Sequence, residues 1–147
     1  MHTHVFTRLI AALTVGTALV TASPAFAEMV KMSATLSGKM EVPPTDSNGG
    51  GSVDATFDTD TKKLDWTIEY SNLTGPVTAA HFHGPAEMGK NADPVVPLEG
   101  DLASPLKGSA TLTDAQAADL QAGKYYINLH TAAHPDGEIR GQVEKAM

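Results

Sequence analysis

The fold is decided by two alternating segments, VDATFD at residues 53–58 and LDWTIEY at residues 64–70. Apolar and polar residues alternate through both segments, which is typical of β-strands that bury one face. The residues between them, 58–63, are all polar and suit a turn. The pair therefore predicts a β-hairpin, and with it an antiparallel sheet.

The same alternation recurs on both sides of this hairpin and predicts about seven short strands in all. The further strands are expected at residues 30–36, 77–83, 108–112, 124–130 and 138–143. Seven strands with polar turns predict an all-β antiparallel sandwich or barrel.

One short helix is expected after the fifth of these strands. Thr113 is placed as its N-cap, Gln116 follows three residues later, and Gly123 lies just beyond its end. The stretch from Gly84 to Lys107 is the longest segment without a regular pattern, and long loops in compact domains often carry function.

The first 27 residues have the layout of a secretory signal peptide. Arg8 is their only charged residue, an apolar stretch follows at residues 9–20, and small residues flank Phe26. We expect export by the Sec route, cleavage before Glu28, and a periplasmic or secreted domain over residues 28–147. No membrane insertion is expected of that domain.

Charge and cysteine content exclude several classes of partner and cofactor. The chain of 147 residues carries 10 basic and 17 acidic residues, and loss of Arg8 with the leader changes its net charge from −7 to −8. An acidic surface without a basic cluster counts against nucleic acid and anionic membranes. With no cysteine, the chain has no disulfide, thiolate metal site or iron–sulfur cluster.

The four histidines beyond the leader form two close pairs, His81 with His83 and His130 with His134. Strand phase directs Phe82 into the core, so both histidines of the first pair lie on the opposite face. Their Cα atoms are then roughly 6.5 Å apart, close enough for both imidazoles to reach one ion.

The second pair ends one strand and enters the following turn. If Tyr125, Ile127 and Leu129 face the core, then His130 shares the outer face with Tyr126 and Asn128. His134 lies in the turn before the last strand. Within that strand, Arg140 lies on the same outer face as His130. One pairing of strands would bring all four histidines together.

These positions predict a transition-metal site formed by His81, His83, His130 and His134. Imidazole ligands suit copper and zinc, and copper(II) has the higher intrinsic affinity, so copper is favoured and zinc is the runner-up.

Three nearby side chains could assist such a site. Met88 could offer a thioether to copper(I), and Asp136 or Glu138 could orient an imidazole from behind. Each of these residues could equally be solvent-facing or structural.

Two other functions stay open beside metal binding. A module that binds a protein partner or extracellular matrix would use the same strands and turns for its fold alone. A copper-dependent enzyme similar to superoxide dismutase is the second alternative, and no catalytic residue is assigned for it. The motifs of other enzyme classes, a nucleophile elbow and a phosphate-binding glycine loop, are missing from the sequence.

Four segments together resemble the CHRD domain, a family named from chordin. They are LSGKMEVPP (36–44), LTGPVTAAHFHGPA (73–86), LQAGKYYINLHT (120–131) and PDGEIRGQV (135–143). The resemblance covers essentially all of residues 28–147 and implies an immunoglobulin-like β-sandwich or Greek-key barrel. In chordin the domain belongs to a protein that binds growth factors, and no catalytic set is carried over from the family.

A looser similarity exists to copper/zinc superoxide dismutase, also a β-sandwich with a His-x-His strand at its copper site. His81-Phe82-His83 fits that element. The chain departs from it in lacking a cysteine pair and a further histidine cluster for zinc, so the similarity implies fold and not activity.

Overall fold

The computed structural model describes residues 26–147. Residues 1–25, and with them nearly all of the predicted signal peptide, lie outside the described residues. Within residues 26–147 the elements are, in chain order, β1 (Met29–Ser37), a 3-10 turn (Gly38–Met40), β2 (Gly50–Asp58), β3 (Lys63–Ser71), β4 (Val77–His83), β5 (Pro94–Pro97), β6 (Leu106–Thr111), α1 (Asp114–Gln121), β7 (Tyr125–Thr131) and β8 (Ile139–Lys145).

The strands form one antiparallel sheet in the order β5-β4-β7-β8-β1-β2-β3-β6. Because β6 returns beside β3 and β7 beside β4, the connections follow a Greek-key path. The sheet curls until its two halves face each other: Trp66 of β3 packs edge-on against Phe82 of β4, with ring centroids 5.2 Å apart. The predicted all-β sandwich or barrel is confirmed, and it is nearly closed between the edge strands β5 and β6.

The predicted hairpin of residues 53–58 and 64–70 is formed by β2 and β3. Val53 pairs with Ile68 and Ala55 with Trp66, and all four side chains are buried. Burying a valine or isoleucine side chain such as those of Val53 and Ile68 stabilises the fold by about 1.5–3 kcal/mol. The alternation in the sequence therefore leads directly to core packing.

The prediction of about seven strands is wrong by one. β5, at Pro94–Pro97, pairs with β4 inside the segment that was expected to be irregular. A proline at each end argues against a strand, but at the edge of a sheet one side needs no partner, so proline is tolerated there.

The predicted helix is confirmed together with its cap. The Gln116 amide N–H donates to Thr113 Oγ1 at 3.2 Å, and the Thr113 N–H donates to Gln116 Oε1 at 2.9 Å. These reciprocal bonds satisfy two amide groups that the first helical turn leaves unpaired.

In the part of the chain that the structure describes, no helix is both long enough and apolar enough to span a bilayer.

Candidate metal centre

Three adjacent strands, β4, β7 and β8, carry the predicted histidine face. In β4, Ala80 and Phe82 are buried in the core, so His81 and His83 project from the opposite side. The pairing of β4 with β7 sets Asn128 opposite His81 and His130 opposite Ala79. His130 is therefore a diagonal neighbour of His81 on the same face, as the strand phase predicts.

The three imidazole rings converge. The Nδ1 atom of His81 lies 3.3 Å from the Nε2 atom of His130. The ring centroids of His81 and His83 are 5.6 Å apart, and those of His83 and His130 are 6.3 Å apart. One ring nitrogen from each histidine lies within 4.8 Å of the other two. Nitrogens bound to one ion at about 2.0–2.1 Å are at most about 4 Å apart, so small rotations of the rings would complete a site.

Backbone carbonyls orient two of the rings from behind. His83 Nδ1 lies 2.9 Å from the Ala92 carbonyl, and His130 Nδ1 lies 2.8 Å from the Pro135 carbonyl. Because a carbonyl only accepts, both Nδ1 atoms carry the proton and each Nε2 carries a lone pair; that of His130 accepts from His81 Nδ1 at 3.3 Å. Metal-binding histidines are commonly held in this way.

One of these lone pairs is buried without use. Among residues 26–147, His83 Nε2 is buried and has no hydrogen-bond partner. A buried acceptor without a partner is costly, and an ion at this position would satisfy it.

Burial also favours neutral imidazoles. Desolvation, followed by the nearby His130, lowers the pKa of His81 below its usual value. Desolvation is again the largest cause for His83, whose pKa is lowered further by His81, His130 and Arg140 and raised by the bond to Ala92. Neutral rings offer lone pairs instead of protons.

His134 is not a member of the converging group within the described chain. It lies in the turn between β7 and β8, where its N–H donates to Thr131 O and its carbonyl accepts from Gly137 N. This turn presents the Pro135 carbonyl to His130. A ligand role for His134 itself stays a prediction.

The sequence predicts that the histidine face is open sheet surface, and this prediction is wrong for much of the face. Tyr126, Asn128 and Arg140 are almost completely buried. They are covered by the loop between β4 and β5, residues 84–93, which we call the covering loop, and by residues 41–44, which we call the Glu41 segment. The alternation in the sequence predicts which face a residue takes but not whether a distant loop covers it.

The Glu41 segment brings a buried carboxylate beside the histidine face. Asn128 Nδ2 donates to both Glu41 oxygens, at 2.7 and 3.0 Å. Burial raises the pKa of Glu41 to about 7, although Arg140 opposes the shift. A cavity of about 400 Å³ lies against Glu41, Arg140 and His83. Sequence reasoning missed Glu41, although an acidic residue in the otherwise apolar and proline-rich stretch 40–44 was a usable signal.

Glu138 does not orient an imidazole, contrary to one of the roles considered for it. Its carboxylate is fully buried and accepts hydrogen bonds from the Ser47, Thr74 and Thr131 hydroxyls and from the Thr74 N–H. Met88 is exposed and lines a groove along β1, β2 and β8.

Comparison with curated proteins and with solved structures gives no significant match. The CHRD domain family model matches residues 32–143, from β1 through β8, and includes all three converging histidines. With most of its length covered by that match, the chain belongs to the CHRD domain family.

Proposed function

We propose that this CHRD domain binds one transition-metal ion, copper in the first place, through His81, His83 and His130. The observation that carries the proposal is the convergence of three imidazole nitrogens within 4.8 Å. The carbonyls behind His83 and His130 and the unused Nε2 of His83 support it, since they leave lone pairs directed at one point.

Copper is favoured by the chemistry of the ligands. Imidazole suits copper, zinc and nickel, and copper(II) has the highest affinity of these ions for a given nitrogen site. Zinc is the runner-up because it accepts the same three nitrogens in tetrahedral geometry.

The setting we propose is outside the cytoplasm, on the basis of the export signal predicted for residues 1–27. An exported domain with one imidazole site would buffer copper or pass it to another protein.

The test is a calorimetric titration of residues 28–147 with copper(II), and separately with zinc(II). We expect one site per chain, tighter binding of copper than of zinc, and loss of that site in a His81→Ala/His83→Ala variant. His134→Ala is the matched control, because it also removes a histidine of the predicted set but one outside the converging group; its copper affinity should equal the parent's. Equal affinity in the double variant, or no copper binding by the parent, would refute the proposal and favour an interaction module.

A second candidate function is superoxide dismutation. It is favoured by the count of ligands, since three imidazoles leave a fourth coordination position for a substrate. Dismutation needs copper to alternate between its two oxidation states, with one superoxide oxidised to O₂ and a second reduced to peroxide with uptake of two protons. The rate of superoxide decay with copper-loaded protein should exceed that of the same concentration of free copper; an equal or slower rate would exclude this activity.

A further inference from the structure

The carbonyl that holds His83 belongs to a loop and not to a regular element. Ala92 lies near the end of the covering loop, and its carbonyl oxygen accepts from His83 Nδ1 at 2.9 Å. A hydrogen bond to a loop carbonyl fixes a tautomer only as firmly as the loop itself is fixed. The contacts that hold this loop therefore bear on the metal site.

Arg140 of β8 holds the last third of the covering loop. Its Nη1 donates to Asn91 Oδ1 at 2.8 Å, and its Nη2 donates to the Lys90 carbonyl at 2.5 Å. Arg140 as a residue is 2% exposed, so these bonds form with little competition from water. The planar fork of arginine suits two acceptors placed side by side.

Tyr126 of β7 joins the loop to the ring of His83. Its hydroxyl accepts from the Ala92 N–H at 3.1 Å and donates to the Ala92 carbonyl at 3.0 Å. The Tyr126 ring stacks on His83 with centroids 4.7 Å apart and planes 9° from parallel. The Arg140 guanidinium carbon lies 3.4 Å from the centroid of the same Tyr126 ring.

These contacts form a continuous chain from Arg140 through Tyr126 and Ala92 to His83. We propose that Arg140 and Tyr126 are positioning residues that lock His83 in the Nδ1-protonated tautomer, so that its Nε2 is presented to the metal ion. The proposal rests on the proposed copper site but predicts a property of the metal-free protein as well.

The experiment reads the tautomer directly, by nitrogen-15 NMR of the imidazoles in metal-free protein. The test variants are Tyr126→Phe, which keeps the ring and removes the hydroxyl, and Arg140→Met, which keeps an unbranched stem and removes both donors. Arg140→Lys is the conservative variant, with charge and donors retained but without the fork.

Gln142→Met is the matched control. Gln142 lies two residues along β8 on the same face, and its Nε2 donates to the carbonyls of Ala86 and Gly123. It lies opposite Tyr126 in the pairing of β7 with β8 and supports the start of the same covering loop, but its hydrogen bonds go to Ala86 and Gly123 and not to Ala92. Its variant should be destabilised but should leave His83 in one tautomer.

We expect a single Nδ1-protonated His83 in the parent and in Gln142→Met, a mixture of tautomers in Tyr126→Phe and Arg140→Met, and partial recovery in Arg140→Lys. Copper(II) affinity should fall about 10-fold or more in the two mixed variants, and their electron paramagnetic resonance spectra should show more than one copper environment.

A folded Tyr126→Phe variant that keeps one Nδ1-protonated tautomer would overturn the proposal, and so would an Nε2-protonated His83 in the parent. Tyr126→Phe decides the matter alone if Arg140→Met does not fold. A tautomer change in a protein that binds no copper would support the positioning role while refuting the proposed function, so the two failures are separable.

Discussion

Within residues 26–147, the carboxylate of Glu138 accepts more hydrogen bonds than any other carboxylate. Its buried carboxylate is reached by hydroxyls from three separate segments, at 2.6–2.7 Å. Burial by itself raises the pKa of this carboxyl, but the hydrogen bonds together outweigh burial and lower the pKa to about 2. Glu138 thereby ties the loops before β2 and β4 to the end of β7.

Glu138→Gln should lower the free energy of unfolding by about 2–4 kcal/mol at neutral pH, because an amide cannot accept from all of these donors. A folded-state pKa below that of the unfolded chain means that the stabilisation is complete above pH 4.5 and disappears as the pH falls towards 2. Urea unfolding of parent and variant at pH 7 and at pH 3 measures both effects.

Glu144→Gln is the control for that experiment, since Glu144 is a glutamate of β8, the strand that follows Glu138, and is exposed. It should unfold like the parent at both pH values. A Glu138→Gln variant that matched the parent at pH 7 would contradict the structural role given to this carboxylate.

Glu41 should have the opposite pH dependence. Its folded-state pKa of about 7 lies above the ordinary value of 4.5, so the folded protein binds a proton more tightly and loses stability as the pH rises between these values. Glu41→Gln removes this loss and keeps an acceptor for Asn128. The variant should match the parent at pH 4 and exceed its unfolding free energy at pH 8, by up to about 3 kcal/mol.

The difference between the unfolding free energies of parent and variant, followed as a function of pH, isolates Glu41, because every other titratable side chain is the same in both proteins. A constant difference from pH 4 to pH 8 would show that Glu41 titrates normally in the folded state.

At the scale of elements, the helix offers a clean test of local structure. Thr113→Ala removes the hydroxyl that accepts from Gln116 and should lower the free energy of unfolding by about 1 kcal/mol. Thr113→Ser keeps the hydroxyl and should stay within a few tenths of a kcal/mol of the parent. Chemical denaturation measures both; equal losses in the two variants would mean that the methyl group, and not the cap, matters.

The strands and their faces could be predicted from the sequence because each depends on neighbours along the chain. The burial of Phe82 between two histidines follows from alternation alone. β5 was missed because Pro94 and Pro97 are penalised in a strand unless it is known to be an edge.

The covering loop and the Glu41 segment could not be predicted, since they depend on contacts between distant residues. Arg140 bonds to Asn91 across 49 positions and Asn128 bonds to Glu41 across 87. The groups that orient the histidines, the carbonyls of Ala92 and Pro135, are backbone atoms and leave no trace in residue identity. Three of the four candidate ligands could therefore be grouped from the sequence. The contacts that turn their ring nitrogens toward one another could not be predicted.

The proposed ligands come from two strands far apart in the sequence, β4 and β7, so the site exists only in the folded chain. An ion that binds this site stabilises the fold by mass action, by about 2.7 kcal/mol when its free concentration is 100 times the dissociation constant. For a domain of this size the unfolding temperature should rise by about 10 °C.

Scanning calorimetry with and without copper measures that rise. The His81→Ala/His83→Ala variant should show no rise, and His134→Ala should show the full one. A rise of the same size in the double variant would mean that copper binds elsewhere on the protein.

The contact between Trp66 and Phe82 has a practical consequence. Trp66 is the only tryptophan of the chain, and it packs on the side chain that separates the two histidines of β4. Its fluorescence responds to opening of the core, and a paramagnetic copper(II) ion on the far side of the same strand would quench it where diamagnetic zinc(II) would not. The protein thus carries its own optical reporter, which distinguishes the two candidate metals without any added label.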